Sequence, residues 1–96
     1  MLPSSAQIKE YATEVIESEI AALQKMNDFV DEHFVKSVML MHEAKGRVVV
    51  TGIGKSAIIA QKIVATMNST GTPALFMHAA DAIHGDLGMI QPDDVV

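Results

Sequence analysis

At 96 residues, with almost half of them apolar but very few aromatic, the chain has room for one small aliphatic core. A net charge of -5 with seven scattered Lys and Arg removes the counterion release that drives nucleic-acid binding, and the absence of cysteine removes disulfides and thiolate metal sites. No run approaches the roughly 20 apolar residues of a membrane helix, and residues 1–19 lack a basic region and carry Glu10, Glu14, Glu17 and Glu19, so the sequence reads as cytoplasmic.

The first predicted element is a helix that Ser4 or Ser5 can cap, with Ile8, Ala12, Val15, Ile16, Ile20 and Leu23 on one stripe and an acidic outer face. Asn27-Asp28 interrupts the pattern. Phe34, Val38 and Met41 resume it in a second helix, with Gly46 as its C-terminal stop. Amphipathic stripes are mostly packing surfaces, so residues 1–45 read as scaffold helices that cover a sheet face or a partner subunit. His33 and His42 fall within them and carry no signal of their own. Met39, Met41 and, further on, Met67 read as gap-filling core.

From residue 46 the pattern changes. Gly46 to Thr51, with three consecutive valines, predicts a buried strand, and a helix is predicted over Ser56–Ser69 with Ile59, Ile63 and Met67 toward the sheet. Between them Gly52 and Gly54 let the backbone turn sharply, and the helix aims its unpaired amides and positive dipole end into that turn. An anion is favoured there. Two phosphate motifs compete for the spacing. A Walker A loop needs Gly-x-x-x-x-Gly-Lys-Ser/Thr, and Gly54-Lys55-Ser56 supplies its end, but Val49 stands inside the strand where the first glycine belongs. The dinucleotide pattern Gly-x-Gly-x-x-Gly/Ala is met by Gly52, Gly54 and Ala57, yet the second strand ends in His78 where an acid should bind a ribose hydroxyl, and the nearest acid is Asp81.

Gly71-Thr72-Pro73 stops the helix and feeds a second strand, Ala74 to Met77, giving a right-handed βαβ crossover. The loop after this strand holds His84, flanked by Gly85 and Asp86, at the end of an α/β sheet where ligands gather. A histidine there can polarise a carbonyl or hydroxyl, or carry a proton. Asp81, His84 and Asp86 place three potential metal ligands close together, but the spacing is not a recognised ligand motif and no metal is assigned. Gln91-Pro92-Asp93-Asp94 reads as a turn and Val95-Val96 as the start of a third strand. A parallel sheet needs more strands than this and cover on both faces, so the expectation is the front end of a larger domain.

Taken in order, Gly46–Ser56, Ser69–Pro73, His84–Ile90 and Pro92–Val96 resemble the arabinose-5-phosphate isomerases, members of the sugar isomerase (SIS) superfamily. The resemblance is dense from Gly46 onward and general in the N-terminal helices. Ala57-Ile58 stands where the family often has Gly-His, and Ala79-Ala80-Asp81 where it has Pro-Gly-Glu or Pro-Ala-Glu; neither departure touches Lys55, Ser56 or His84.

The resemblance implies an α/β, three-layer, parallel-sheet domain of the SIS, flavodoxin-like type, with residues 46–96 as its first part and helices over 1–45 before it. It implies interconversion of D-ribulose 5-phosphate and D-arabinose 5-phosphate for Kdo, lipopolysaccharide or capsule synthesis, with no cofactor, a phosphosugar substrate and a homo-oligomer that the family makes tetrameric. Lys55 and His84 become the catalytic candidates, Lys55 for phosphate or enediolate charge and His84 to steer hydroxyls or shuttle a proton. Gly52, Gly54, Ser56 and Asp86 become the substrate-binding candidates. The main base and a Ser-rich phosphate loop are expected beyond Val96, so the 96 residues alone are expected to be catalytically silent. Two alternatives stay open, a phosphosugar-sensing module without catalysis and a dinucleotide-binding domain, because fold alone does not separate enzyme from sensor.

Overall fold

The computed structural model describes all 96 residues. They form two compact units, Met1–Lys36 and Ser37–Val96.

In the first unit, helix α1 spans Ser5–Met26 and opens on a reciprocal cap. The Ser4 hydroxyl accepts from the Gln7 amide at 3.2 Å, and the Gln7 side-chain oxygen accepts from the Ser4 amide at 2.8 Å, which satisfies two of the amides a helix start leaves unpaired. A 3-10 turn over Asn27–Phe29 comes next, and helix α2 runs Glu32–Glu43 across the boundary between the units. Asp31 starts α2 by accepting from the Phe34 amide at 3.1 Å. No residue of α1 is buried, and its predicted stripe, Ile8 through Leu23, lies exposed.

Helix α2 and the glycine beyond it differ from the sequence-based expectation in two respects. The helix ends at Glu43, so Gly46 is not its stop. Gly46 is instead a point of close approach: a Cβ there would lie 2.7 Å from the Asp93 carbonyl carbon and 2.6 Å from an Asp94 carboxylate oxygen. Of the three methionines expected in the core, Met39 is exposed and Met41 and Met67 are only half-buried.

The second unit contains the core. Strand β1 spans Val48–Gly52 and strand β2 Ala74–His78, paired parallel in the register Val48↔Ala74 to Gly52↔His78. Helix α3, Lys55–Ser69, crosses between them and packs on both. Val48, Val49, Ala57, Ala60, Val64 and Met77 are the buried residues. Here the predicted helix face is wrong: Ile59 and Ile63 are 62% and 43% exposed, and the sheet is met by Ala57, Ala60 and Val64. Small side chains let the helix backbone lie close on the strands, and the bulkier isoleucines are turned outward. Gly71, at φ +95°, ends α3: the Thr72 amide donates to Met67 O at 2.8 Å and the Gly71 amide to Asn68 O at 3.4 Å. The Asn68 side chain then clips the helix end to the start of β2, donating to Ala74 O at 3.1 Å and accepting from Ala74 N at 2.8 Å.

On the free edge of β1 the tail begins a third parallel line, with a single bridge from Val95 to Val48. The Val49 amide donates to Val95 O at 2.7 Å, and the Val95 amide to Arg47 O at 3.0 Å. Asp94 fastens this junction. Its carboxylate accepts from the backbone amides of Gln91 and Arg47, both at 2.7 Å, and from the Arg47 guanidinium at 3.3 Å. Those donors, the Gln91 amide first, hold its carboxyl below the usual carboxylate range. An open apolar groove of about 380 Å³ runs along β1 and the tail, lined by Leu40, Met41, Val50 and Val95 among others. What the chain displays is therefore an α/β unit with a small parallel sheet and helices.

Candidate functional site

The turn after β1 is built as the glycine spacing requires, with one shift. Helix α3 begins at Lys55, not Ser56, and its N-cap is Gly54. Gly54 has φ +63° and ψ -137°, a conformation closed to residues with a Cβ although the space around it is open. Gly52 serves differently. A Cβ on it would sit 3.5 Å from the Ala57 amide nitrogen, an ordinary contact distance, so the strand end lies directly against the first turn of α3.

Since Gly54 has no side chain, nothing covers the helix start. The Ala57 amide donates to Gly54 O at 3.1 Å, while the amides of Lys55 and Ser56 have no partner in the chain. Ser56, a residue type that often caps helices, lies inside α3 and does not cap it, and its exposed hydroxyl is unengaged. Lys55 is exposed and forms no ion pair, whereas Arg47 pairs with Asp94. The first turn of a 15-residue helix thus carries two free amides, a lysine and an unengaged serine hydroxyl at its positive end, a set of groups suited to a phosphate or an oxyanion.

The second predicted segment leaves the same edge of the sheet. His78, the last residue of β2, is in register with Gly52, the last of β1, so both turns start from the C-terminal ends of the strands. A short helix α4, Ala79–Ile83, stands where the sequence predicts loop, and His84 is its C-cap. The His84 amide donates to Asp81 O at 3.0 Å, and its exposed imidazole has no hydrogen-bond partner. Gly85, at φ +126°, turns the chain into a 3-10 segment, Asp86–Met89, which places Asp86 half-buried at its start. No hydrogen bond or ion pair joins Lys55, Ser56, His84 and Asp86. Asp81, His84 and Asp86 do not gather into a group that could hold a metal ion.

One residue at this edge has a role that sequence alone does not reveal. His78 caps α4: its Nδ1 accepts from the Ala80 amide at 3.1 Å, and its ring stands edge-on to Phe76 with centroids 6.3 Å apart. Histidine is not among the preferred caps. The available signal was Asp81, three residues on, at the acidic position of a helix start.

Comparison with known proteins places the chain in a family. The SIS domain family matches residues 40–96, more than half of the chain. Arabinose 5-phosphate isomerase KdsD of Pseudomonas aeruginosa is 55% identical over 67 residues, which cover 70% of this chain and 21% of that protein. The enzyme of the same name from Escherichia coli K12 is 45% identical over 83 residues, 86% of this chain and 25% of its own length. The chain thus spans about a quarter of the curated relatives it matches. Among solved structures, a protein of Escherichia coli CFT073 in complex with arabinose 5-phosphate superposes with a TM-score of 0.90 at 37% identity, over 98% of this chain and 50% of that one. With a glycine turn at the C-terminal edge of a parallel strand pair, and with this match across its second half, the chain belongs to the SIS domain family.

Proposed function

We propose that this chain is the opening part of the SIS domain of an arabinose-5-phosphate isomerase, and that it supplies the anion-holding side of the active site. The observation that carries the reading is the Gly52–Ser56 turn, where the unpaired amides of Lys55 and Ser56 and the unpaired Lys55 side chain all belong to the first turn of one helix. Aldose–ketose interconversion in a phosphosugar moves a proton between two adjacent carbons through an enediol. A base removes the proton next to the carbonyl, and negative charge develops on the carbonyl oxygen until the proton is returned. A preorganised cation with amide donors lowers that barrier, whether it holds the developing oxyanion or anchors the phosphate while the other end reacts.

In this reading Lys55 holds charge, with Gly52 and Gly54 keeping the approach clear and Ser56 donating to the sugar phosphate. His84 steers hydroxyls or shuttles a proton, Asp86 orients a hydroxyl, and the main base comes from residues beyond Val96. The open groove along β1 supports a completed three-layer domain, in which further helices cover that face. A homo-oligomer working in the cytoplasm on Kdo precursors belongs to the same reading.

The test is a chimera in which this chain replaces the matching segment of Escherichia coli KdsD. Interconversion of D-arabinose 5-phosphate and D-ribulose 5-phosphate by the folded chimera is the expected result. A folded chimera that binds the sugar phosphate without turning it over would instead make the chain part of a sensing module.

A further inference from the structure

We infer that His78 is a positioning residue, whose Nδ1 aims α4, and with it His84, at the C-terminal edge of the sheet. This rests on the proposed role of His84 in isomerisation. Helix α4 is only five residues long, too short to sustain itself, because the first turn of any helix fixes several residues for one hydrogen bond. Little side-chain packing holds it. Ala79, Ala80 and Ala82 are half-buried, while Asp81 and Ile83 point to solvent, Ile83 at 82% exposure. The bond from the Ala80 amide to His78 Nδ1 is thus a large share of what sets the direction in which the chain leaves β2.

The anchor itself is well placed for this. His78 is half-buried at the last register position of β2, opposite Gly52, and its ring stands nearly perpendicular to that of Phe76, which restrains it. Because Nδ1 accepts a hydrogen bond, the neutral ring carries its proton on Nε2. A ring rotated or protonated at Nδ1 cannot cap, and α4 then loses its first fixed amide. His84 sits at the other end of the same five residues, so a change of direction at Ala79 is carried to its imidazole.

The experiment compares His78→Ala with His78→Asn, since asparagine is a favoured cap whose oxygen can stand where Nδ1 stands. In the 96-residue chain, amide hydrogen exchange at Ala80 to His84 reads the cap without requiring activity. In the KdsD chimera, steady-state kinetics read its consequence. His78→Ala is expected to speed exchange over this segment by roughly fivefold, the usual worth of one cap. In the chimera it is expected to lower kcat by about tenfold with KM nearly unchanged, as loss of a positioned proton carrier does. His78→Asn is expected to restore both. Slow exchange at Ala80 in His78→Ala would overturn the inference, as would full protection in His78→Asn with kcat still at the alanine level, because the ring itself would then act on the substrate. An inactive chimera with native His78 would sink the isomerase reading, while the exchange experiment would still decide whether His78 fixes α4.

Discussion

The two units of this chain hold similar proportions of apolar residues and use them in opposite ways. In Met1–Lys36 every residue is exposed, and the helices are held by what lies within a few positions of each residue, such as the Ser4–Gln7 reciprocal cap and the Asp31 cap. In Ser37–Val96 all six buried residues are found, and contacts far apart in sequence close the structure: β1 with β2, α3 with both, Arg47 with Asp94. The difference shows that an apolar stripe guarantees a helix but not its burial. It also puts every candidate for chemistry on the unit that owns a core, where a rigid sheet edge can hold a turn in place.

The most damaging substitution expected is Met77→Ala. Met77 is 3% exposed, and truncating a buried methionine costs about 2 to 5 kcal/mol, enough to unfold a small unit outright. A urea midpoint unmoved by this change would erase the contrast between the units. Next comes Lys55→Ala in the KdsD chimera, where removing one charge-stabilising donor is expected to lower kcat/KM by about 100-fold with the melting temperature unchanged, because Lys55 is exposed and unpaired in the fold. Activity within threefold of the parent would return Lys55 to the surface.

Asp94 sharpens the comparison through pH. Its carboxyl is held below the ordinary range by the Gln91 and Arg47 amides and the Arg47 guanidinium, so the bound carboxylate favours the folded state at any pH above the ordinary carboxylate value. That contribution is lost as pH falls through the lower folded value. Asp94→Asn is therefore expected to destabilise the chain at pH 7, with the gap to the parent closing toward pH 3 in urea titrations. A gap that stayed constant with pH would mean that the charge on Asp94 contributes nothing. Val15→Ala on the exposed stripe of α1 is the smallest effect, within about 0.5 kcal/mol, and a larger loss would show that this face is covered in solution.

Local chemistry is legible in the sequence and contacts at a distance are not. Ser4 as a cap, the break at Asn27, the βαβ order and the Gly71 stop all follow from neighbours within a few residues, and each stands in the structure. Gly46 misleads because what it accommodates, the backbone of Asp93, is remote in sequence. The face of α3 misleads because hydrophobicity ranks isoleucine above alanine, whereas close helix–sheet packing selects the smaller side chain. Helix α4 is invisible to periodicity because five residues carry no period and its cap is a histidine. At the site, the glycine–lysine turn is readable from composition and order. Whether its amides stay free can be seen only in the fold, since a serine at a helix start is also a residue type that caps such amides.

Hydrogen–deuterium exchange of the KdsD chimera, with and without saturating arabinose 5-phosphate, tests the central claim most directly because it reads those amides themselves. Protection concentrated in residues 52–57 and 79–86, with none over Ser5–Met26, is the result expected if the β1–α3 turn holds the anion and the α4 segment meets the sugar. Binding of arabinose 5-phosphate that leaves residues 52–57 exchanging as fast as before would contradict it.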